Sequence, residues 1–297
     1  MNSLIGIGVA IAVLAAAFFA SKRLGALIAE NRRLRKRSGE LTQMKKDFIS
    51  YVSHELKAPL ASMQETTHLL LERIPGPLTD KQKRLLELNL QSGKRLTRMI
   101  GNLLDLSRLE AGIVDYDIQQ HDLAELVRNF LEQHEADAQD DQIPIQAEYA
   151  PEPLMVSCDS LLVMQMLEKI MEDALRVSSF SAGVHVDVRA VRDFPEHMPS
   201  KLRHRLENGG MQNGFALVTI ADSGPRIEDS QKEGLFVVFH KMRNGAQNQM
   251  PSLGLGLPVA RALAEAHHGG IWIEDNPKGG SVFCVLLPRN LGTDPGN

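Results

Sequence analysis

The first strong pattern of hydrophobic and polar positions lies between residues 49 and 70. Apolar side chains recur there at intervals of three, four and seven residues, at Ile49, Val52, Leu56, Leu60, Met63 and Leu70. This spacing predicts an amphipathic helix. His54 falls almost opposite the apolar stripe, so we expect it on the solvent-facing side, with Glu55 beside it. Pro59 removes a backbone hydrogen bond and predicts a bend one turn after His54.

A second helical pattern follows a turn at residues 74–80, where proline and glycine are concentrated and Thr79 or Asp80 is suited to cap the next helix. The positions at coiled-coil spacing are Leu85, Ser92, Leu96, Met99, Leu103 and Leu106. Two antiparallel helices bury little apolar surface by themselves, whereas two copies of the hairpin form a four-helix bundle. The pattern therefore predicts a homodimer.

The N-terminal region is apolar and uncharged from Ser3 to Ala20, which is about the length needed to cross a bilayer. Basic residues follow this run rather than precede it, at residues 22–23 and 32–37. This order favours a membrane anchor over a cleaved signal peptide and places the N-terminus outside. We expect a single-pass membrane protein, with the residues after Ala20 in the cytoplasm and no extracytoplasmic domain.

A heptad pattern connects the predicted anchor to the helix that carries His54. Leu27, Leu34, Leu41 and Phe48 repeat every seven residues. This period predicts a short parallel coiled coil, continuous with the following helix. A movement of the anchor would then reach His54 directly.

From about Asp115 the pattern changes to alternating strands and helices. Strands are predicted at 116–119, 143–149, 184–191, 215–221, 270–274 and 281–287, and helices at 123–139, 159–177 and 257–267. The polar segment between Asp193 and Asn213 is longer than a hairpin needs and predicts a surface insertion. This half of the chain is thus an α+β domain.

Composition limits the classes of function. A chain of 297 residues accommodates two modest domains, and a net charge of −4 argues against a general nucleic-acid-binding protein. The two cysteines, Cys158 and Cys284, lie far apart, which disfavours a disulfide or a thiolate metal site. The histidine pair at 267–268 has no ligand spacing with cysteines or carboxylates, so we interpret it as ordinary helix-end or surface residues.

The segment from Ser53 to Leu60 reads Ser-His-Glu-Leu-Lys-Ala-Pro-Leu, which closely resembles the phosphoacceptor box of bacterial sensor histidine kinases. Residues 102–112 are similar to the end of the dimerisation domain in the same family. The resemblance implies an anchor at 1–22, a coiled coil at 23–45, a dimerisation and phosphotransfer domain at 46–112, an ATP-binding domain at 113–290 and a tail at 291–297. The ATP-binding domain is expected to be an α+β sandwich of the histidine kinase, gyrase and Hsp90 type.

Three clusters resemble the nucleotide site of that domain. Asp222 and Gly224 follow a predicted strand, where a carboxylate can accept the adenine amino hydrogen. Gly254 and Gly256 open a helix whose backbone amides suit phosphate oxygens. The third cluster is the helix from Met166 to Arg176. The loop from Lys241 to Ser252, which precedes the Gly254 cluster, resembles a mobile ATP lid. The nucleotide-binding residues implied by the last two segments are Lys169, Asp173, Arg176 and Lys241, with Asp173 as the ligand of Mg²⁺.

The chain departs from the family pattern at several positions. Lys169 and Asp173 replace asparagines, Arg226 replaces a glycine at the lid hinge, and Ser252 replaces the opening glycine of the Gly254 cluster. Asp173 adds negative charge beside a polyanion, and Arg226 is expected to stiffen or crowd the hinge. Ala58 stands where the family has a polar residue that positions the dephosphorylating water, so weak phosphatase activity is expected.

The resemblance implies a homodimeric sensor kinase anchored by a single pass in the bacterial cytoplasmic membrane, with its catalytic domains in the cytoplasm. It would phosphorylate its own His54 from Mg-ATP, with Glu55 as base, and transfer the phosphoryl group to an aspartate of a response regulator on a separate chain. One alternative is a degenerate kinase that acts as a membrane scaffold or regulates a partner kinase. A more distant alternative uses ATP as a conformational clamp without phosphoryl transfer.

Overall fold

The computed structural model describes residues 23, 43–45, 47–48, 51–52, 55–141, 143–178, 182–207, 214–238 and 255–289. Several features predicted above lie outside these ranges: the anchor, most of the coiled coil, His54, the lid loop with Lys241 and Ser252, Gly254 and the tail. The chain divides into two compact units, Met1–Glu55 and Leu56–Asn297. The second unit holds the elements that follow.

The predicted membrane location is corrected by the structure. Among the helices in the ranges just given, none is both long enough and apolar enough to cross a membrane. The longest, Asp80–Glu110, has 31 residues but carries charged side chains along most of its length. The prediction of a single-pass protein of the bacterial cytoplasmic membrane is therefore wrong by this finding.

The first part of the second unit is a helical hairpin, as predicted. Helix α1 includes residues 55–71, of which 56–71 belong to this unit, and helix α2 covers Asp80–Glu110. Thr79 caps α2, because its hydroxyl accepts a hydrogen bond from the Gln82 amide at 3.3 Å while the Gln82 side chain accepts one from the Thr79 amide at 2.9 Å. Across the hairpin, Gln64 Nε2 donates to Thr97 Oγ1 at 2.9 Å. This hydrogen bond helps to fix the register of the two helices.

The rest of the chain is an α/β unit, in agreement with the predicted class. Its elements are β1 (Gln119–Asp122), α3 (Leu123–Asp141), β2 (Ile145–Tyr149), β3 (Met155–Cys158), α4 (Ser160–Val177), β4 (Val184–Val191), α5 (Ser200–Glu207), β5 (Phe215–Ala221), α6 (Asp229–Lys232), a 3-10 helix (Glu233–Phe236), α7 (Gly256–Ala266), β6 (Gly270–Asp275) and β7 (Ser281–Pro288). The main sheet has the order β2-β4-β5-β7-β6, and β1 pairs with β3 in a separate ribbon. Only the β2–β4 pairing in the main sheet is parallel.

Both faces of the main sheet are covered. Ala216, Val218 and Ile220 of β5 point into a core shared with α3, α4 and α7. The alternate residues Phe215 and Leu217 point to the opposite face, because successive strand side chains alternate. The polar insertion predicted between 193 and 213 contains α5, whose Leu202 and Leu206 cover this second face.

The two strands of the β1–β3 ribbon differ from the sequence prediction. Strand β1 begins at Gln119 rather than 116, since the chain before it is held by Asp159, whose carboxylate accepts a hydrogen bond from the Asp117 amide at 3.0 Å. Strand β3 was missed because it is only four residues long and lies directly before α4. The other strands agree with the prediction to within two residues.

The end of α2 packs into the α/β unit. Leu106 is buried in the core formed with α4 and α7, and Leu109 packs against the same core. Gln165 Nε2 of α4 donates a hydrogen bond to Asp105 Oδ2 at 2.8 Å. The last turns of the hairpin therefore belong structurally to the core of the following domain.

Candidate active site

Asp222 lies immediately after β5 and is only 2% exposed. Its Oδ1 atom accepts hydrogen bonds from the Gly224 amide at 2.7 Å and the Ser281 amide at 3.2 Å. Burial raises the pKa of this carboxyl, while the two backbone hydrogen bonds oppose the rise. No donor in the described part of the chain reaches Oδ2. One carboxylate oxygen is thus fixed and the other is available to a ligand.

The turn between β6 and β7 supports Asp222 from behind. Asn276 Nδ2 donates to the Asp222 carbonyl oxygen at 2.8 Å, and the Asp222 amide donates to the Ser281 carbonyl at 2.8 Å. Gly280 has φ +95°, and a Cβ atom there would lie 2.3 Å from the Asp222 carbonyl oxygen. This close approach requires glycine. The sequence reasoning missed the whole turn, although its Gly279–Gly280 pair was a usable signal.

Ser281 is a second residue that the sequence reasoning missed. The side chain is 1% exposed, and its Oγ atom has no hydrogen-bond partner among the described residues. A buried hydroxyl without a partner is unfavourable, so it marks a place where a ligand or water supplies the missing hydrogen bond. Ser281 lies beside the Asp222 carboxylate because its amide donates to Oδ1.

Helix α4 places three of the predicted residues on one face. Lys169, Asp173 and Arg176 are separated by four and three positions, so their side chains lie above one another. The Arg176 guanidinium pairs with the Asp173 carboxylate. Burial raises the pKa of Asp173, whereas Arg176 opposes that rise. The Lys169 side chain is 12% exposed and its ammonium group lies 3.9 Å from Glu168.

The two ends of this α4 face lie near the Gly256 cluster and the Asp222 cluster. Near Lys169, a Cβ atom on Gly256 would lie 3.9 Å from the lysine Cβ, so α7 begins close to that residue. At the opposite end, Ser178 Oγ accepts a hydrogen bond from the Ser223 amide at 3.2 Å, next to Asp222. Nine residues of helix separate these contacts, which is about 13 Å along the axis. The site is therefore an elongated surface, with Asp222 at one end, Lys169 and the start of α7 at the other, and the Asp173–Arg176 ion pair between them.

Two family models match the chain. Residues 44–112 match the His Kinase A (phospho-acceptor) domain. Residues 158–291 match the histidine kinase-, DNA gyrase B- and HSP90-like ATPase. The chain belongs to the two-component sensor histidine kinases. The recognition made from the phosphoacceptor box is confirmed.

Relatives of this histidine kinase are larger proteins. The sensor histidine kinase TmoS of Ectopseudomonas mendocina is 26% identical over 88% of this chain and 25% of its own length. The alginate biosynthesis sensor protein KinB of Pseudomonas aeruginosa is 25% identical over 83% of this chain and 37% of its own length. This chain thus spans between 25% and 37% of these two relatives.

A solved structure supports the fold. Full-length ShkA, crystallised in complex with AMPPNP, has a TM-score of 0.61 and 19% sequence identity to this chain. The match covers 82% of this histidine kinase and 45% of the ShkA chain. At this level of identity the likeness establishes the shared fold alone.

Arg226 forms an exposed ion pair in this histidine kinase. Its side chain is 69% exposed and its Nη2 atom lies 2.6 Å from Asp275 Oδ2. Lys232 also contacts Asp275, at 2.8 Å. The arginine that replaces the family glycine is therefore held at the end of β6 by an ion pair.

His267 lies at the end of helix α7, as one of the two interpretations made from its spacing expected, but it is buried, so the surface alternative is wrong. The side chain is 1% exposed. Its Nδ1 atom lies 2.8 Å from the Leu263 carbonyl oxygen, and its Nε2 atom accepts a hydrogen bond from the Asp159 amide at 3.1 Å. The ring therefore joins the end of α7 to the start of α4 as a neutral imidazole.

The remaining predicted site residues are only partly visible in this histidine kinase. Glu55 is helical and exposed. Phe236 is buried, with the Arg261 guanidinium 5.6 Å from its ring centre. His54, Lys241 and Gly254 lie outside the described residues.

Proposed function

We propose that this chain is a protein-histidine kinase that phosphorylates its own His54 from Mg-ATP and passes the phosphoryl group to an aspartate of a separate response regulator. The observation that carries the proposal is the buried Asp222 carboxylate, which has one free oxygen beside the unpartnered hydroxyl of Ser281. A phosphoacceptor box in the same chain supplies the reacting histidine. ShkA, a protein of the same fold, was crystallised with the ATP analogue AMPPNP.

Asp222 and Ser281 suit an adenine ring. The free Oδ2 atom of Asp222 accepts a hydrogen bond from the exocyclic amino group, and the Ser281 hydroxyl bonds an adjacent ring nitrogen directly or through water. A carboxylate rejects a carbonyl oxygen at the same place, because two acceptors repel each other. The pair therefore favours adenine over guanine.

Helix α4 and the start of α7 suit the phosphates. Lys169 and Arg176 provide positive charge, and the N-terminus of α7 at Gly256 provides backbone amides. Asp173 offers the hard carboxylate oxygen that Mg²⁺ prefers when phosphates and waters complete its coordination. The metal ion would neutralise phosphate charge. Because Arg176 pairs with Asp173, the extra carboxylate is compensated before any ligand binds.

The chemical step is an in-line transfer. The unprotonated ring nitrogen of His54 forms a bond to the γ-phosphorus while the bond from phosphorus to the bridging oxygen breaks. The electron pair of that bond leaves with ADP. Glu55 accepts the proton from the other ring nitrogen, which keeps the imidazole neutral as the new bond forms.

A homodimer and a response regulator are the proposed partners. The match to the phosphoacceptor domain supports both, since proteins with that domain usually pair in this way. Apolar side chains on both helices of the hairpin support self-association. They are exposed in the single chain at Leu56, Met63, Leu85, Leu88, Leu96 and Leu103.

The test is incubation of the full chain with Mg²⁺ and γ-labelled ATP, next to His54→Gln. We expect label that is stable to alkali, labile to acid and absent from the variant. Transfer to a purified receiver domain should then release the label from the kinase. Label retained by His54→Gln would overturn the assignment of the phosphoacceptor.

The degenerate kinase remains a second candidate because of one observation. Arg176, which is expected to contact phosphate, is engaged by Asp173. A folded, dimeric chain that binds no nucleotide and gains no label would favour a regulatory role over catalysis. Restored nucleotide binding in Asp173→Asn would then identify the ion pair as the cause.

A further inference from the structure

A cluster of ion pairs joins the segment that follows Asp222 to the end of strand β6. Asp275, the last residue of β6, contacts a different cation with each carboxylate oxygen. Arg226 Nη2 lies 2.6 Å from Oδ2, and Lys232 Nζ lies 2.8 Å from Oδ1. Lys232 also pairs with Asp229, at 2.5 Å. We call these four residues the Asp275 cluster.

The Asp275 cluster differs from an isolated surface ion pair. The Lys232 side chain is only 15% exposed, so solvent screens its contact with Asp275 less than it screens an exposed pair. The hydrogen bond from Lys232 and the charges of Lys232 and Arg226 lower the pKa of Asp275. One ionised carboxylate is thus shared by two cations that belong to the segment after Asp222.

Asp275 is connected to both amides that orient the Asp222 carboxylate. These amides belong to Ser281 and Gly224, and both donate to Oδ1 of Asp222. In the β6–β7 register, Asp275 lies directly opposite Ser281. Arg226 follows Gly224 by only two residues. The ion pair between Arg226 and Asp275 therefore joins the segment that provides one amide to the ladder that provides the other.

The loop that contains Gly224 is also attached to α4. The Ser223 amide donates to Ser178 Oγ at 3.2 Å, and a Cβ atom on Gly224 would lie 2.7 Å from the Val177 side chain. Arg226 itself is exposed and stands where the family has a glycine, which has no side chain to form an ion pair. The attachment to β6 through Arg226 is therefore a feature of this chain rather than of the family pattern.

We propose that Asp275 is a positioning residue for adenine recognition, which acts by holding Arg226 and with it the Gly224 amide. This inference rests on the proposed function, because it takes Asp222 as the acceptor of the adenine amino group. Without the charge of Asp275 the loop is less restrained, the hydrogen bond from Gly224 weakens and the Asp222 carboxylate rotates more freely. The phosphate contacts made by α4 and α7 do not depend on this loop. The loss is therefore specific to the base.

The test measures the Kd of Mg-ATP and of Mg-GTP for the full chain by equilibrium dialysis with labelled nucleotides. Both nucleotides carry the same phosphate charge, so the ratio of the two Kd values reports on base recognition alone. We expect Asp275→Asn and Arg226→Gln each to raise the Kd of ATP by about five-fold and to leave that of GTP within about two-fold. Asp275→Glu keeps the charge and should retain most of the discrimination. Asp187→Asn, which removes a different ion pair on β4, is the matched control and should leave both values within about two-fold.

Two further measurements distinguish an ionic attachment from a general effect on the fold. The double variant of Arg226→Gln and Asp275→Asn should lose no more discrimination than either single variant, because both remove the same interaction. An increase in NaCl from about 0.05 M to about 0.5 M screens ion pairs. It should lower the discrimination of the natural chain and leave that of Asp275→Asn unchanged.

The possible failures point to different conclusions. Unchanged discrimination in Asp275→Asn and Arg226→Gln would overturn this inference alone, as would equal losses of ATP and GTP affinity or additive losses in the double variant. A natural chain that binds no ATP would overturn the proposed nucleotide site and this inference with it. Arg226→Gln keeps the test decisive if Asp275→Asn does not fold, because the Arg226 side chain is 69% exposed.

Discussion

At the scale of single residues, the strongest functional signals are polar atoms that are buried without full hydrogen bonding. Ser281 Oγ has no partner among the described residues, and the neighbouring Asp222 carboxylate is bonded through one oxygen only. Each unmade hydrogen bond costs stability in the free protein. Such a cost is expected where a bound ligand supplies the missing hydrogen bonds.

Ser281→Ala should therefore have different effects on the free energy of unfolding and on ATP affinity. Removal of the unpartnered hydroxyl should leave the free energy of unfolding unchanged or raise it by up to about 1 kcal/mol. ATP affinity should fall by about five-fold, since roughly 1 kcal/mol of hydrogen bonding is lost. Thermal unfolding and a nucleotide titration measure the two effects. The exposed Ser230→Ala is the control, and equal losses of affinity in both variants would contradict the assignment.

His267 predicts a pH dependence of stability. Burial lowers its pKa below the ordinary value of 6.5. Nearby, the Asp159 carboxylate opposes this shift and His268 adds to it. Below about pH 6.5 the unfolded chain binds a proton that the native ring resists, so stability falls as pH decreases, by at most about 1.4 kcal/mol per pH unit. Above that pH the contribution is constant.

The measurement is urea unfolding of the natural chain and of His267→Gln between pH 5 and 8, a range set by the ordinary histidine pKa. A glutamine amide can still donate and accept hydrogen bonds but does not titrate. The difference in unfolding free energy between the natural chain and His267→Gln should become smaller as pH falls. Parallel stability profiles would show that the imidazole does not cause the dependence.

Ala58 predicts the balance of activities at the phosphoacceptor helix. The side chain is exposed one turn after His54 and has no group that can hold a water molecule. We expect slow dephosphorylation of the phosphorylated receiver domain, and a several-fold increase in Ala58→Thr with autophosphorylation unchanged. Rapid phosphatase activity in the natural chain would contradict this explanation.

At the scale of secondary-structure elements, the middle and the end of α2 differ in exposure. Its middle exposes Leu88, Leu96 and Leu103, whereas Leu106 near its end is 7% exposed and packed against α4 and α7. The predicted domain boundary follows residue 112, where the sequence pattern of the dimerisation domain ends. Packing places the last turns of α2 with the following domain.

Leu106→Ala should therefore destabilise the nucleotide domain although the residue lies in the hairpin. Trp272 is the one tryptophan of the chain and is buried in the β-sheet, so its fluorescence reports on that domain. We expect a loss of about 2–5 kcal/mol in the unfolding free energy seen by this probe. Leu103→Ala, at a position 43% exposed, should lose far less. Similar losses in both variants would place Leu106 outside the core.

At the scale of the whole molecule, the apolar surface of the hairpin predicts assembly. Leu85 and Leu88 are each 58% exposed in the single chain. A Leu85→Glu and Leu88→Glu double variant should sediment as a monomer at concentrations where the natural chain is a dimer, because two charges would be buried in each copy of the interface. Lys81→Glu is the control. A dimer that survives the double substitution would exclude this surface.

The sequence predicted elements well where periodicity was long and poorly where structure depended on distant contacts. The seven-residue spacing in α2 and the apolar runs of β5 and β7 are local signals, and these elements were found. The role of Ser281 was not visible, since its partner Asp222 lies 59 residues earlier in the chain. The burial of His267 was missed for the same reason. Its acceptor role depends on the Asp159 amide, which is 108 residues away.

The position of β7 has a consequence for how the chain is made. This strand is the last of the described elements in sequence, yet it lies inside the sheet between β5 and β6. During synthesis, β6 has no neighbour to join until residues 281–288 have left the ribosome. The Asp222 carboxylate also lacks its hydrogen bond from the Ser281 amide until then. A chain that ends before β7 therefore lacks the Ser281 amide that fixes Asp222 and cannot form the nucleotide site. The site can form only after β7 has been synthesised.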